Sequence, residues 1–161
     1  MALREGTQMP SLEGATEWLN ATGARAEAEA EGRPTLVHFW SVGCEACMSG
    51  LQSVARWRER WKAGGLRVVA VHTPHLPAET DAEAVRDGVS LNDITEPCAV
   101  DNEHKLRGAF QIEAEELPAF CLFDAEGRLR AFESGAEGLE RMTGMLEAML
   151  GAPESKTDEQ G

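Results

Sequence analysis

At 161 residues the chain is long enough for one domain with a substantial buried core, and 42% hydrophobic content with four tryptophans marks it as globular rather than disordered. Its 28 acidic against 15 basic side chains give a formal net charge of −13, which argues against nucleic acid or an anionic membrane surface as a partner. No run approaches the roughly 20 apolar residues of a membrane span, and Met1 is followed by Arg4, Glu5 and Thr7 rather than by an apolar leader, so the expected setting is the cytoplasm, with no membrane association.

Residues 1–10 read as a flexible lead-in. Ser11 is a fair N-cap, and a short helix is expected from it through Trp18 and Leu19 to about Asn20. Ala24 to Glu31 alternates alanine with glutamate, which favours a short surface helix, and Gly32-Arg33-Pro34 ends it. Leu36 to Trp40 is an apolar, partly β-branched run, the mark of a buried strand. It opens through Ser41-Val42-Gly43 into Cys44-Glu45-Ala46-Cys47. Leu51, Val54, Trp57 and Trp61 then follow at spacings of three and four, as on an amphipathic helix reaching about Lys62.

Gly64-Gly65 breaks that helix, and Leu66 to His72 reads as a second buried strand, giving a β–α–β unit with a parallel pair and a right-handed crossover. Thr73 to Pro77 is a loop, and Thr80-Asp81-Ala82-Glu83 is a capping-box pattern for a helix to about Gly88. A brief strand over Cys98 to Val100 precedes a short helix from Asp101 or Asn102 to Phe110. Ala119 to Phe123 and Arg128 to Glu133 are strands joined by the turn Asp124-Ala125-Glu126-Gly127. Leu139, Met142, Leu146 and Met149 line a final helix, a stripe read as core. Residues 152–161 are polar and charged and are expected to be disordered.

Cys44 therefore falls where a strand ends and a helix begins. Free backbone N–H groups and the positive end of the helix dipole favour an anion there, and a thiolate is such an anion. Cys47, one turn inside, can attack a mixed disulfide made at Cys44 and close the ring, which is dithiol–disulfide exchange. Two other readings stay open. A structural zinc site wants four ligands, and only Cys98 and Cys121 remain, far apart in apolar runs. A plain pair of core cysteines is the other, since free cysteine packs as a small hydrophobe. Cys98 and Cys121 read as buried and inert, although a second redox pair is not ruled out. His72, His75 and His104 share no ligand spacing and read as exposed or structural.

The segment from Phe39 to Cys47 resembles the active-site segment of the thioredoxin superfamily, and more closely that of the TlpA/ResA-like and DipZ-like thiol–disulfide oxidoreductases. The likeness continues in order through Met9-Pro10, Glu17-Trp18-Leu19-Asn20 and Val69-Ala70-Val71-His72-Thr73-Pro74. Ala99-Val100-Asp101-Asn102, Leu117-Pro118-Ala119 and Phe123-Asp124-Ala125-Glu126-Gly127-Arg128 complete it, so it covers most of the chain from about Met9 to Leu150. It implies an α/β, thioredoxin-like fold over residues 11–151: a central mixed β-sheet flanked by helices, with residues of about 78–100 as a TlpA-like helix–strand insert.

The same resemblance implies an enzyme that reduces or exchanges disulfides in protein substrates. Cys44 would be the nucleophile, Cys47 the resolving thiol, and Pro118 a cis-proline facing the two cysteines. The Cys44–Cys47 disulfide would serve without a separate cofactor or metal. The partners would be a disulfide-containing protein and an upstream electron donor, with the chain acting as a monomer. Leu117 would present backbone groups to an incoming peptide. Trp40 would pack beside the site and border the substrate, or else be a plain core aromatic. Gly43, in place of the large residue common before the first cysteine, would leave the sulfur more open to substrate.

His38 stands where many thioredoxins carry a buried acid, so it is a candidate proton acceptor, or alternatively a neutral core histidine. Glu45 beside Cys44 disfavours its thiolate, which suits a reductase, as a reducing cytoplasm does. Glu113, Glu115 and Glu116, ahead of the proline, read as a solvated face or as a filter on substrates. From other classes come a non-catalytic redox sensor or adaptor, and a peroxiredoxin-like peroxidase. For the peroxidase Ser41 stands three residues before Cys44, but the upstream proline is missing.

Overall fold

A computed structural model describes residues 3–151. Their backbone forms β1 (Glu17–Leu19), α1 (Gly23–Ala30), β2 (Thr35–Trp40), α2 (Glu45–Trp61), β3 (Arg67–His72), α3 (Ala82–Leu91), β4 (Cys98–Val100), α4 (Lys105–Ala109), β5 (Ala119–Phe123), β6 (Leu129–Ser134) and α5 (Glu137–Leu150), with short 3₁₀ turns at Pro77–Thr80 and Ala114–Glu116. The six strands make one sheet in the order β1-β4-β3-β2-β5-β6. β2, β3 and β4 run parallel, while β1, β5 and β6 pair antiparallel to their neighbours. This is the mixed, helix-flanked, thioredoxin-like sheet that the sequence implied. No helix among the described residues is long and apolar enough to cross a membrane.

All six residues of β2 are buried, which is why its sequence is apolar without alternation: both faces of a central strand are covered. Its side chains still divide by the two-residue period of a strand. Val37 and Phe39 join Leu106, Phe110 and Ile112 on one side. Leu36 joins Val54, Trp57 and Trp61 of α2 and Met142 and Leu146 of α5 on the other. Trp57 packs edge-to-face on Phe120 at 5.6 Å and donates its indole N–H to the Thr143 hydroxyl at 2.9 Å. These contacts fix the active helix against the sheet.

Three expectations are corrected. Residues 11–20 are not a helix: Gly14 adopts a φ of +111° and Glu17–Leu19 pair with Cys98–Val100. The Asn20 side chain secures this segment by donating to the Ile94 and Glu96 carbonyls at 2.9 and 2.8 Å, and Ser11 donates to Glu27 instead of capping. The described part of the lead-in is anchored, because Gly6 and Leu129 N–H donate to the Leu129 and Thr7 carbonyls and Met9 N–H to Gly127. The helix expected from Asp101 begins only at Lys105, since His104 takes a left-handed φ of 60° while the Asp101 carboxylate collects the Leu106 and Arg107 amides at 2.9 Å. The tail over residues 152–161 lies outside the described residues.

The helix and strand expected in the 78–100 insert are α3 and β4. Asp81 rather than Thr80 caps α3, accepting from Glu83 N–H at 3.1 Å. β4 slots between β1 and β3, and α3 comes so close at Gly88 that a side chain there would meet Val42 and Trp40. The insert is thereby built into the wall behind the two active cysteines.

Replacing Trp57 with alanine removes an aromatic ring and a buried hydrogen bond from the joint between α2, α5 and the sheet. The expected loss is about 3–5 kcal/mol of folding free energy, read in guanidinium unfolding as a lower midpoint with an unchanged slope.

Candidate active site

Cys44 caps α2 from an extended backbone conformation, φ −101° and ψ 105°, and its sulfur accepts the Cys47 N–H at 3.2 Å. The turn that delivers it is closed by Cys44 N–H donating to the Ser41 carbonyl at 3.1 Å. Cys44 and Cys47 are joined as a disulfide with their Cα atoms 5.3 Å apart. Cys44 is half-buried, whereas Cys47 is 0% exposed. Only the first sulfur can be approached from outside.

Beneath the turn lies a polar cluster. Val42 N–H donates to His72 Nε2 at 3.1 Å, which puts the imidazole proton on Nδ1, a buried atom without a partner among the described residues. Burial pushes the His72 pKa down from 6.5 to about 4, against the pull of the nearby Glu79 charge, and Trp40 stacks edge-on at 4.9 Å. The Glu79 carboxylate accepts from the Ser41 hydroxyl and from His75 N–H at 2.8 Å. A Cβ on Gly43 would land on that same carboxylate. A side chain at position 43 would therefore have to displace the Glu79 carboxylate.

The peptide Leu117–Pro118 is cis, and Pro118 lies against α2 at Gly50, where a Cβ would stand 3.5 Å from the proline ring. Leu117 is largely buried, with its N–H bonded to the Ala114 carbonyl at 3.4 Å, so that donor is turned into its own loop. Trp40 cannot border a substrate as expected, because it is 1% exposed and packs on His72 and α3. Gly43 and Glu45 are exposed at the mouth of the site. Cys98 and Cys121 are buried in β4 and β5, and burial pushes both thiols up to about 12, which keeps them protonated.

His38 is buried on β2 with Nε2 2.7 Å from Glu96 Oε2, and Glu96 Oε1 takes the Arg58 guanidinium at 2.6 Å. The imidazole offered by sequence as a proton acceptor thus faces a carboxylate partner. Burial works to raise the Glu96 pKa, but the His38 hydrogen bond and the His38 and Arg58 charges outweigh it and hold the carboxyl below its usual range. His75 and His104 are exposed, and His104 Nε2 meets the Pro74 carbonyl at 2.8 Å. Glu116 accepts from Glu113 N–H at 2.8 Å, so part of the acidic run shapes the turn before Pro118. Glu79, Glu96 and Arg58 escaped the sequence reading. Glu79 and Glu96 sit in polar loop stretches, and Arg58 on the polar side of the α2 stripe, so each carries only the local signal of a surface residue.

The model of the AhpC/TSA family matches residues 6–132. The thiol-disulfide oxidoreductase YkuV of Bacillus subtilis (strain 168) is 36% identical over 154 residues, spanning 96% of this chain and 100% of that protein. The protein DipZ of Mycobacterium tuberculosis (strain CDC 1551 / Oshkosh) is 32% identical over 143 residues, 88% of this chain but 20% of DipZ. A solved thioredoxin-like protein in its oxidised form superposes with a TM-score of 0.78 at 34% identity, covering 90% of this chain and 95% of that one.

The buried imidazole has a measurable signature. His72 stays neutral down to about 4 in the folded state, while an unperturbed imidazole takes its proton near 6.5. A lowered pKa contributes stability that is complete above 6.5 and is lost as the pH falls towards 4. The gap corresponds to roughly 3 kcal/mol. Urea unfolding at stepped pH should show that loss, and His72→Gln should flatten the curve in this window. Parallel curves for the two proteins would contradict the assignment.

Proposed function

The chain belongs to the AhpC/TSA family, and we propose that within it this protein is a cytoplasmic, monomeric reductase of disulfides in other proteins. It is a thioredoxin-like thiol–disulfide oxidoreductase, and its substrates are disulfide-containing proteins. The observation that carries the roles of the two cysteines is their unequal exposure at the N-terminus of α2. The Cys44 thiolate attacks one sulfur of the substrate disulfide; that S–S bond breaks and the departing substrate thiolate takes a proton. Cys47, as its thiolate, then attacks the Cys44 sulfur, closing the ring and expelling the second substrate thiol. Two electrons and two protons pass from the dithiol to the substrate, and an upstream dithiol donor restores the pair.

The buried Pro118, packed against α2 at Gly50, supports a place facing the two cysteines, since a proline ring offers no metal ligand and no N–H to compete for the sulfurs. The reducing direction is supported by the acidic Glu45 next to Cys44. The cytoplasmic setting is supported by cysteine usage: outside the active pair the two cysteines are unpaired in the core rather than joined as a structural bridge. The peroxidase reading is weakened by Ser41, whose hydroxyl is given to Glu79.

Three measurements test this function. Cys47→Ser should accumulate mixed disulfides with protein substrates, whereas Cys44→Ser should not, and both should abolish insulin reduction. The wild-type couple should have a potential near that of thioredoxin, about −270 mV; a value near −120 mV would make the protein an oxidant and overturn the reductase assignment. Light scattering should return the mass of one chain.

A further inference from the structure

Glu79 meets the active turn through Ser41, and the exchange chemistry does not itself use it. It is 7% exposed, and its charge is not paired with an Arg or Lys of the described residues. Its Oε1 accepts from both the Ser41 hydroxyl and His75 N–H, and its Oε2 occupies the space a side chain at position 43 would need. Ser41 and Gly43 are the first and third residues of the turn whose fourth is Cys44. The carboxylate therefore sits directly under the segment that aims the nucleophile.

Burial alone would favour the neutral acid. Hydrogen bonds from Ser41, His75 and Leu76 outweigh that effect and hold the Glu79 carboxyl below its ordinary range, so it is ionised at neutral pH. His72, kept neutral by burial, does not cancel the charge. Other titratable groups around the turn include Glu45, exposed on the first turn of α2, the exposed His75 whose backbone N–H binds Glu79, His104 on the Pro74 carbonyl, and Asp101 at the end of β4. Asp101 is pushed up by burial, and its oxygens are taken by the α4 amides.

We propose that Glu79 is a positioning residue for the disulfide exchange: it locks the Ser41–Gly43 turn and places an uncompensated negative charge beside Cys44 that biases the Cys44–Cys47 couple towards the reducing end. This rests on the exchange chemistry assigned above. A thiolate at the helix N-terminus is stabilised by the α2 amides and dipole, and a neighbouring carboxylate opposes it. Destabilising the thiolate destabilises the reduced protein relative to its disulfide, so its electrons leave more readily. The segment Pro77–Thr80 thus tunes a couple whose sulfurs lie on another element.

Glu79→Gln tests the charge, because the amide keeps an acceptor oxygen and nearly the same shape. The fraction of Cys44 present as thiolate, read by ultraviolet absorbance at a pH below its midpoint, should rise about three- to tenfold. The equilibrium with glutathione should move towards the reduced protein by up to about tenfold, or ~30 mV. Glu79→Asp keeps the charge but draws it back by one methylene. It should raise the thiolate fraction by about twofold, less than the amide does, and it carries the test alone should E79Q not fold. A purely structural role would lower the thermal midpoint in both variants and leave both redox readings where they were, and that result overturns the proposal. Wild-type protein that cycles normally beside an unshifted E79Q refutes the role of Glu79 alone. A wild-type pair that forms no reversible disulfide refutes the exchange reading and this proposal together.

Discussion

The site depends on one contact, the sulfur of Cys44 capping α2 by accepting the Cys47 N–H at 3.2 Å. A capping residue must leave the helical conformation, and Cys44 does so, at φ −101° and ψ 105°. The preceding chain must then arrive in a tight turn from the carboxyl end of a strand, which the Ser41–Cys44 hydrogen bond supplies. Interaction of an anion with a helix N-terminus is worth about 0.3–1 kcal/mol when exposed and up to about 2 in a partly buried setting. The half-buried Cys44 collects this only as a thiolate, never as a disulfide. The same geometry that stabilises the helix therefore responds to the oxidation state of the sulfur.

Two buried carboxylates from the stretch between β3 and β4 bracket the β2–α2 unit, and they are satisfied in different ways. Glu96 faces His38 on β2 and Arg58 near the last turn of α2, so that each carboxylate oxygen has a buried or half-buried partner. Such a set adds little net stability compared with apolar packing, but removing one member strands the others, at about 3–5 kcal/mol. It fixes where the far end of α2 lies over the sheet. Glu79 reaches the near end through Ser41 and Gly43 with hydrogen-bond donors in place of a cation. The insert thereby anchors the active helix at both ends.

The strand–CxxC–helix unit was legible because periodicity is local: β2 reads as an unbroken apolar run and α2 as a stripe at Leu51, Val54, Trp57 and Trp61. Pro118 was legible through family resemblance, since nothing in a Leu-Pro pair dictates the cis form. The segment before Asn20 was misread because its pairing partner, Cys98–Val100, lies some 80 residues away and its own helix propensity is unremarkable. For Trp40 the sequence left a place bordering the substrate and a core place open, because it closes the strand beside the cysteines, and α3 folding over it at Gly88 makes it core. Glu79 and Glu96 were hidden for the converse reason. Buried carboxylates are rare, and Pro-Ala-Glu-Thr carries every local mark of an exposed loop.

Two glycines flank the cysteines, and they are not equivalent. At Gly50 a Cβ would find Phe120 at 3.4 Å and Pro118 at 3.5 Å, ordinary contacts, so space does not demand glycine where α2 meets the cis-proline. Glycine within a helix costs about 1 kcal/mol relative to alanine, and nothing in the packing recovers it. At Gly43 a Cβ would collide with Glu79 Oε2, on a carboxylate whose other oxygen is held by the Ser41 hydroxyl and His75 N–H. The sequence before the nucleophile reads as an opening that exposes the sulfur to substrate. In the fold that opening is the consequence of seating a charge beneath it, so access to Cys44 and the electrostatics acting on Cys44 are set by the same absent side chain.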